Sequence, residues 1–255
     1  MSFSVLRNQV RQLKLNRRVA TTFDLVLGPC AIESVGQLEE CARVAKAVGA
    51  TFLRGGAIKL RTRHGSFEGL GGTAWGTLSE IARANGLRAV SEVTTASDID
   101  IASQNLDAIQ IGARCMWNFD LLRAAAASHR TVVLKRGMGA STHEWLAAAE
   151  RLQAYGCNDV VLCERGGRGN EPASRNAIDI SVLAFLTDEV PLPVWLDVSH
   201  SAGDPEVALS LLQRARSFGL SGAMAEIHPN PAQALCDGDQ AIPTAKLTAF
   251  DLKVP

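Results

Sequence analysis

The chain has 255 residues, of which 47% are hydrophobic and 20% are charged, and Lys plus Arg equal Asp plus Glu at 26 each. A formal net charge of zero excludes a nucleic-acid or membrane surface held by overall positive charge. The basic amino terminus lacks the apolar segment of a secretory signal, and no run of about 18 apolar residues predicts a membrane span. The 6 cysteines lack Cys-x-x-Cys spacing, which predicts reduced thiols and a cytoplasmic location.

Short apolar runs alternate with helix-like segments from Leu25 onward. The runs are rich in Val, Ile and Leu with little polar alternation, which is typical of strands buried on both faces. In chain order they read DLVLGP, ATFLRGGA, LRAVSEV, LDAIQIGA, TVVLKRG, NDVVLCERG, LPVWLDVSH and LSGAMAEIH. Eight such strand–helix units predict an α/β fold, the closed parallel (β/α)8 TIM barrel. A doubly wound sheet is the alternative, but it usually has fewer strands and a nucleotide fingerprint at its first turn.

The segments between these runs have the capping pattern of amphipathic helices. Residues 34–49, 141–156 and 204–219 each begin with Ser or Asp and end with Gly. Residues 1–24 are too few for a separate domain, and we expect them to form a short N-terminal extension that closes the barrel. We expect residues 25–255 to form a single catalytic barrel without a linker or second domain.

Charged or metal-binding residue types stand at the end of nearly every predicted strand. The carboxyl ends of barrel strands converge on one mouth, and catalytic groups are found there. One such residue by itself would be explained as a solvated strand end or a structural ion pair. A succession over eight strands indicates an active site, because buried charge is costly unless it is used. In chain order these residues are Cys30, Arg54, Lys59, Glu92, Arg114, Lys135, Glu164, Arg165, Asp197, His200, Glu226 and His228.

The basic residues near the strand ends form one set. Several cations that face one pocket repel one another unless anions fill it, and Arg suits bidentate binding of phosphate or carboxylate. The set exceeds what a single phosphate needs, so it predicts two anionic groups or one multiply charged ligand. Its members are Arg54, Lys59, Arg61, Arg114, Lys135, Arg165 and Arg175.

A second set combines a thiol, an imidazole and two carboxylates: Cys30, His200, Glu226 and Asp237. Such a mixture suits Zn²⁺, Mn²⁺ or Fe²⁺ and leaves a coordination position open for water or substrate. The four residues are scattered along the chain, and a buried cysteine is commonly part of the core. Their types and spacing therefore leave a metal site and a structural role both open.

An ordered series of motifs runs from residue 28 to residue 240. It comprises GPCAIES, RGGAIKLRT, SFEGLG, SEV, QIGAR, NFDLL, LKRGM, CERG, SRN, DVSHSAG, EIHPNP and CDGDQ. In these motifs the chain resembles the family of 3-deoxy-D-arabino-heptulosonate 7-phosphate (DAHP) synthase and 3-deoxy-D-manno-octulosonate 8-phosphate synthase. The stretches IGARCMWNFDLL and LKRGMGAS are more similar to the compact microbial DAHP synthases.

The resemblance implies roles for the matching positions. Cys30, His200, Glu226 and Asp237 match the ligands of one divalent metal ion, Mn²⁺, Fe²⁺, Co²⁺ or Zn²⁺. Some octulosonate enzymes have Asn at the position of Cys30 and need no metal, so the cysteine here predicts a metal. The substrate-binding positions are Arg114, Lys135 and Arg165 for the phosphate of phosphoenolpyruvate, Arg54 and Lys59 near its carboxylate, Arg61 and Thr62 for the acceptor phosphate, and Asp197 for an acceptor hydroxyl.

Two loops depart from the family pattern. The Lys-Pro-Arg-Thr-Ser sequence of DAHP synthases is Lys-Leu-Arg-Thr-Arg here, at residues 59–63, and Asp-Pro-Ser-His is Asp-Val-Ser-His, at residues 197–200. Proline fixes backbone shape, so its absence alters both loops, while the charged residues are retained. The reaction type therefore follows from the resemblance more firmly than the acceptor does.

The implied activity is addition of phosphoenolpyruvate to the aldehyde of erythrose 4-phosphate with release of phosphate, the first step of the shikimate pathway to aromatic amino acids. Lys59, Glu92 and water on the metal are alternative groups for the proton transfers, and Cys30 and His200 act through the metal. We expect a homodimer or homotetramer that lacks a built-in domain for feedback inhibition by aromatic amino acids.

Several alternatives remain open. If the acceptor is not erythrose 4-phosphate, two alternatives follow. The chain is then either a paralogue that uses another aldose phosphate in specialised metabolism or a 3-deoxy-D-manno-octulosonate 8-phosphate synthase. A barrel aldolase with a Schiff base on Lys135 is a different enzyme class, which the predicted metal set disfavours. A non-catalytic paralogue that binds a sugar phosphate is the remaining alternative, which the complete charged set disfavours.

Overall fold

The computed structural model describes residues 2–16, 22–61, 64–167 and 176–248. Its strands are β1 Asp24–Gly28, β2 Phe52–Arg54, β3 Arg88–Val93, β4 Ala108–Ile111, β5 Thr131–Lys135, β6 Val160–Glu164, β7 Val194–Asp197, β8 Gly222–His228 and β9 Ile242–Pro243. Its α-helices are α1 Phe3–Gln12, α2 Val35–Ala47, α3 Ala74–Ala84, α4 Ile99–Asn105, α5 Phe119–Ala127, α6 Thr142–Ala154, α7 Ile180–Glu189, α8 Val198–Ala202, α9 Pro205–Arg214 and α10 Thr244–Thr248.

Strands β1 to β8 form a closed parallel barrel. Each strand pairs with the next one in the chain, and β8 pairs with β1 in a register that places Asp24 opposite Gly222 and Gly28 opposite Glu226. Strand β9 is a two-residue addition that pairs with the end of β8. The predicted (β/α)8 barrel is confirmed, and each of the eight apolar runs contains one of its strands.

Both faces of the strands are buried because one faces the barrel interior and the other faces the helices. The interior is a separate apolar cluster that contains Phe52 and Trp195, whose rings meet edge to face with centroids 5.6 Å apart. A larger cluster fills the space between the barrel and the surrounding helices. These two layers hold the strand ends, and the residues at those ends, in fixed positions.

The predicted caps begin the helices. Ser34 accepts a hydrogen bond from the Gln37 backbone at the start of α2, and Ser141 forms a reciprocal capping box with Glu144 at the start of α6. In the third predicted segment, α9 is followed by a 3₁₀ turn over Ala215–Phe218. The three predicted helices are present at the predicted places.

Helix α1 precedes the barrel and packs against its outer helices. Leu6 and Val10 are buried, and Arg7 donates to Glu189 at the end of α7 over 2.7 Å. The division into an extension of residues 1–24 and a barrel of residues 25–255 stays a prediction. Within the described ranges, none of the helices has the length and apolar character needed to cross a bilayer.

Candidate active site

The carboxyl ends of the barrel strands surround a cleft of about 1040 Å³, with the open solvent at its mouth included. Most of the predicted site residues lie in its wall, as expected for strand ends that converge. Two predicted residues, Thr62 and Arg175, lie outside the described residues. The cleft is lined by Arg54, Lys59, Leu60, Arg61, Ser66, Glu92, Gln110, Gly112, Ala113, Arg114, Lys135, Met138, Arg165, His200 and Asp237.

Glu164 and His228 are also outside the lining. Three further predicted residues, Cys30, Asp197 and Glu226, lie beneath the cleft. Their exposed fractions are 3%, 0% and 0%, and none belongs to its lining. Each of them contacts a residue that does line the cleft, so the structure groups them with the site as a buried layer. The sequence places these residues at strand ends but does not separate the two layers.

The cleft has an excess of positive charge. Among its described lining residues, six are Lys or Arg and two are carboxylates. Arg54 is buried and pairs through Nη2 with Glu226 Oε1 at 3.1 Å, while its Nη1 has no hydrogen-bond partner within the described ranges. A buried guanidinium nitrogen without a partner is costly unless a ligand completes it. The arrangement therefore suits a ligand with more than one anionic group.

Asp197 joins two residues of the cleft wall from below. Its carboxylate forms a buried ion pair with Lys135, and its Oδ2 lies 2.9 Å from His200 Nδ1. Burial alone would raise the pKa of Asp197, but the attraction of His200 and Lys135 outweighs it and holds the pKa well below its usual value. Asp197 also caps the one-turn helix α8 by accepting from the His200 backbone at 3.1 Å. It therefore fixes the position of the imidazole.

This placement bears on the expected role of Asp197 at an acceptor hydroxyl. The carboxylate lies behind Lys135 and His200 rather than in the cleft wall. Contact with an acceptor stays a prediction. The position of Asp197 favours a role in orienting Lys135 and His200, which it contacts.

Glu226 is held from three directions at the end of β8. Its backbone N–H donates to Ser199 Oγ at 2.8 Å, Gln240 Nε2 donates to its Oε2 at 2.5 Å, and Arg54 faces its Oε1. Burial acts to raise the pKa of this carboxyl, but His200 and Arg54 lower it to about 2. Glu226 is thus an ionised, oriented carboxylate without access to bulk solvent.

The four predicted metal ligands lie together in two overlapping groups. One group contains His200, Glu226 and Asp237, and the other contains Cys30, Cys236 and Asp237, with the ligand atoms of each group within 4.8 Å of one another. Asp237 belongs to both, and its backbone takes the left-handed conformation at φ 50°, which Asp tolerates better than most residues.

The buried atoms of this cluster fit a divalent cation. His200 Nδ1 and Glu226 Oε1 are 3.8 Å apart, and neither makes a hydrogen bond to another described residue. The contact of His200 Nδ1 with Asp197 is short but lacks hydrogen-bond geometry. Imidazole, thiolate and carboxylate donors together are a set that Zn²⁺, Mn²⁺ and Fe²⁺ accept. Which residues bind the metal stays a prediction.

Cys236 was not predicted and lies against Cys30. Their sulfur atoms are 2.8 Å apart, and Cys30 Sγ is 3.4 Å from Asp237 Oδ2. The contact with Cys236, together with burial, raises the pKa of Cys30, whereas the hydrogen bond from Cys30, with help from Lys59 and Arg61, lowers the pKa of Cys236. The only signal in the sequence is that Cys236 directly precedes Asp237.

Lys59 and Glu92 stand in the cleft wall beside the ligand cluster. Burial lowers the pKa of Lys59, but the electrostatic attraction of the acidic groups around it, Cys30 and Glu92 first, outweighs burial and raises the pKa above its usual value, so the ammonium is retained. The Glu92 carboxylate occupies the space where a Cβ of Gly112 would lie. A side chain at position 112 would therefore displace this carboxylate from its present position.

Gln110 is a further residue that the sequence analysis missed. Its side chain lines the cleft although the residue is only 5% exposed, and it lies in β4 between the apolar residues Ile109 and Ile111. A polar side chain that alternates with buried isoleucines is the signal that was available, because successive strand residues point to opposite faces.

Arg165 is positioned by the turn that follows β6. Glu164 Oε1 accepts from the backbone N–H of Arg165 at 2.9 Å and of Gly166 at 2.7 Å. Arg136 holds the same carboxylate through Nε and Nη2. Glu164 therefore acts as a buried anchor of the turn that presents Arg165 to the cleft.

Two curated proteins illustrate the similarity of this sequence to known enzymes. The phospho-2-dehydro-3-deoxyheptonate aldolase of Thermotoga maritima is 39% identical over 220 residues, which cover 86% of this chain and 65% of that protein. The chain thus spans slightly less than two thirds of that relative. The 2-dehydro-3-deoxyphosphooctonate aldolase of Nitratidesulfovibrio vulgaris is 32% identical over 254 residues and 92% of each chain.

Solved structures agree with the sequence relatives. The crystal structure of the Thermotoga maritima phospho-2-dehydro-3-deoxyheptonate aldolase (DAHP synthase) matches with a TM-score of 0.85 and 36% identity, over 92% of this chain and 68% of that one. A truncated form of the 3-deoxy-D-arabino-heptulosonate 7-phosphate synthase of the same organism matches with a TM-score of 0.82 and 34% identity, over 92% and 86%. The model of the DAHP synthetase I family matches residues 19–254, and the chain therefore belongs to that family.

Proposed function

We propose that this chain condenses phosphoenolpyruvate with erythrose 4-phosphate to form 3-deoxy-D-arabino-heptulosonate 7-phosphate and inorganic phosphate, as the first step of the shikimate pathway. The observation that carries the proposal is a cleft that combines, among its described residues, six cationic side chains with a partly buried cluster of thiol, imidazole and carboxylate groups. Two phosphorylated substrates explain the cations, and activation of an aldehyde explains the cluster.

The cations divide between the two substrates by position. Arg114 and Arg165 follow β4 and β6, and Lys135 is the last residue of β5. These three cations bind the multiply charged phosphate of phosphoenolpyruvate. Arg61 follows β2 on the other side of the cleft and binds the acceptor phosphate. Holding both substrates in one orientation converts a bimolecular encounter into a step within one complex, which contributes a large part of the rate.

Arg54 and Lys59 bind the carboxylate of phosphoenolpyruvate between the two phosphate sites. The Arg54 nitrogen without a hydrogen-bond partner in the described residues is the donor available for it. This contact places the C3 carbon of phosphoenolpyruvate beside the aldehyde carbon. The new bond forms from C3 to that carbon, C2 becomes electrophilic, water adds to C2, and the carbon–oxygen bond to phosphate breaks.

Lys59 and Glu92 manage the protons of these steps. Lys59 retains its proton because neighbouring negative charges raise its pKa, so it is a donor for the oxygen that was the aldehyde. Glu92 lies in the same wall and accepts a proton from the water that adds to C2. The two groups have opposite charge and complementary tasks, in keeping with general acid–base catalysis.

Cys30, His200, Glu226 and Asp237 would hold the divalent ion, which supplies Lewis acidity for polarising the acceptor carbonyl. The chain's own contribution is orientation of these ligands. Asp197 positions His200, while Gln240 and Ser199 position Glu226. Partners of this kind raise metal affinity by fixing the ligand geometry.

Lys135 favours this chemistry over a Schiff-base aldolase. Its side-chain nitrogen forms a buried ion pair with Asp197, which holds it in place against a carboxylate. A Schiff-base lysine needs a neutral amine to attack a carbonyl. Lys135 is therefore assigned as a fixed cation for phosphate.

The proposal extends to the setting of the enzyme. All six cysteines are free thiols in the structure, which supports a reducing cytoplasm. We retain a homodimer or homotetramer as the proposed assembly, to be tested by sedimentation.

The test is an assay of phosphoenolpyruvate consumption and phosphate release with a panel of four- and five-carbon aldose phosphates. Metal is first removed with a chelator and then restored with Mn²⁺, Zn²⁺, Co²⁺ or Fe²⁺. We expect erythrose 4-phosphate to be the best acceptor and turnover to require the added ion. Lys135→Met removes a cation assigned to the phosphate of phosphoenolpyruvate and should lower turnover. Lys46→Met removes an exposed lysine of α2 and is the matched control, for which turnover should stay at the wild-type value. Preference for a five-carbon aldose phosphate would refute erythrose 4-phosphate as the acceptor. The absence of turnover with every acceptor would refute the proposed reaction.

A further inference from the structure

We propose that Cys236 supplies a second thiolate to the metal site, so that the site binds a thiolate-preferring ion such as Zn²⁺ more tightly than Mn²⁺. The inference rests on the metal site of the proposed function and goes beyond the four ligands that the sequence predicts. It concerns which ion the site selects rather than which reaction it serves.

The closure of the barrel brings the two cysteines together. Cys30 follows β1 and Cys236 lies in the loop after β8, and these strands are neighbours because β8 pairs with β1. The two sulfur atoms are 2.8 Å apart, which is closer than van der Waals contact and longer than the S–S bond of about 2.05 Å. Both residues are 3% exposed.

The surroundings of Cys236 are polar on one side. Arg61 Nη1 donates to its sulfur at 2.9 Å, and the Asp237 carboxylate belongs to the same group of ligand atoms. A cysteine that serves only as core is surrounded by apolar groups. Cys41 illustrates the contrast, because within the described residues the hydrogen-bond partner of its sulfur is a backbone oxygen, that of Ile227, at 3.6 Å.

Charge balance also permits a second thiolate. Two thiolates and two carboxylates exceed the charge of a divalent ion by two, and an uncompensated buried excess would be costly. Arg54 faces Glu226 at 3.1 Å and Arg61 faces Cys236, so two guanidinium groups lie beside the ligand cluster. The added negative charge of Cys236 is thereby compensated inside the site.

The donor set then decides the metal. Thiolate ligands favour Zn²⁺ and related ions, whereas carboxylates and water suit Mn²⁺. Both sulfur atoms belong to one group of ligand atoms with the Asp237 carboxylate, so one divalent ion would be held by both thiolates. A single thiolate would leave the site with the mixed preference predicted from the four ligands alone.

The test uses Co²⁺ as a spectroscopic probe of the reduced, metal-free full chain. Thiolate bonds to Co²⁺ give a near-ultraviolet charge-transfer band, whose intensity increases with the number of thiolates. We expect Cys236→Ser and Cys30→Ser each to reduce this intensity to about half of the wild-type value, since each removes one of two sulfur ligands. Cys41→Ser is the matched control for loss of a buried thiol, and its intensity should equal that of the wild type.

Competition between Zn²⁺ and Mn²⁺ provides the second measurement. We expect Cys236→Ser to lower the preference for Zn²⁺ by about tenfold or more, because a hydroxyl is a poorer ligand for Zn²⁺ than a thiolate. Serine still accepts a hydrogen bond from Arg61. If Cys236 only positions Arg61, Cys236→Ser should therefore leave unchanged both the Co²⁺ charge-transfer band and the preference for Zn²⁺ over Mn²⁺.

The outcomes separate the inference from the proposed function. Full charge-transfer intensity in Cys236→Ser, with Cys30→Ser lacking it, refutes the second thiolate and leaves the four-ligand site intact. A wild-type protein that binds neither Co²⁺ nor Zn²⁺ refutes the metal site itself and the inference with it. If Cys236→Ser does not fold by circular dichroism, Cys236→Ala is used in its place, with the same expected loss of intensity.

Discussion

Removing one arginine at a time from the two ends of the cleft should affect the two substrates in opposite ways. Arg61→Ala should raise the Michaelis constant for the sugar phosphate, and Arg165→Ala should raise that for phosphoenolpyruvate. The reason is that Arg61 follows β2, whereas Arg165 follows β6 beside Lys135. Both side chains line the same cleft, but they approach it from different strands.

The structure indicates which effect is larger. A hydrogen bond to a charged group contributes about 1.5–3 kcal/mol, which corresponds to roughly 12-fold to 150-fold in affinity. Arg165 is 4% exposed, so a phosphate left without it loses a contact that solvent does not replace. Arg61 is more exposed and already contacts Cys236, so its removal should fall at the lower end of the range.

Steady-state kinetics with each substrate varied in turn is the assay. Arg83→Ala removes an exposed arginine of α3 far from the proposed contacts and serves as the control, for which we expect both constants to stay at the wild-type value. Equal effects of Arg61→Ala on the two substrates, or the reverse pattern, would mean that the anion sites are assigned to the wrong ends.

Three further predictions concern the ligand cluster and the cleft wall. Cys30→Asn should lower both the affinity for metal, measured by elemental analysis after dialysis, and turnover, and wild-type values of both would remove Cys30 from the ligand set. In the metal-free protein, burial acts to raise the pKa of Glu226 but adjacent cations lower it to about 2. Ionised Glu226 therefore contributes on the order of 3 kcal/mol to the free energy of unfolding above about pH 4.5, and this contribution is lost as the pH falls toward 2. Urea unfolding that shows no loss of stability across this pH range would contradict the lowered pKa. Gly112→Ala should displace the Glu92 carboxylate and lower kcat by about tenfold or more, and an unchanged kcat would exclude Glu92 from the proton transfers.

The barrel architecture could be predicted from the sequence because strands and helices are each indicated by local sequence patterns. Strands covered on both faces are apolar throughout, as in VVLCE of β6, and the helices begin at capping residues such as Ser34 and Ser141. The position of charged residues at successive strand ends indicated the cleft that is the candidate site, since a barrel brings those ends to one mouth. The metal set and the substrate-binding roles came from the resemblance to a known family rather than from spacing.

The layering of the site was decided by the tertiary structure alone. Asp197 and Lys135 are 62 residues apart, and their buried ion pair exists because β5 and β7 both border β6 and point these side chains inward.

Cys30 and Cys236 are 206 residues apart and meet only because β8 closes the barrel onto β1. Residue type and order along the chain specify which groups reach the mouth. The direction of each side chain, and hence its partner, depends on strand register and barrel closure, which are properties of the whole chain.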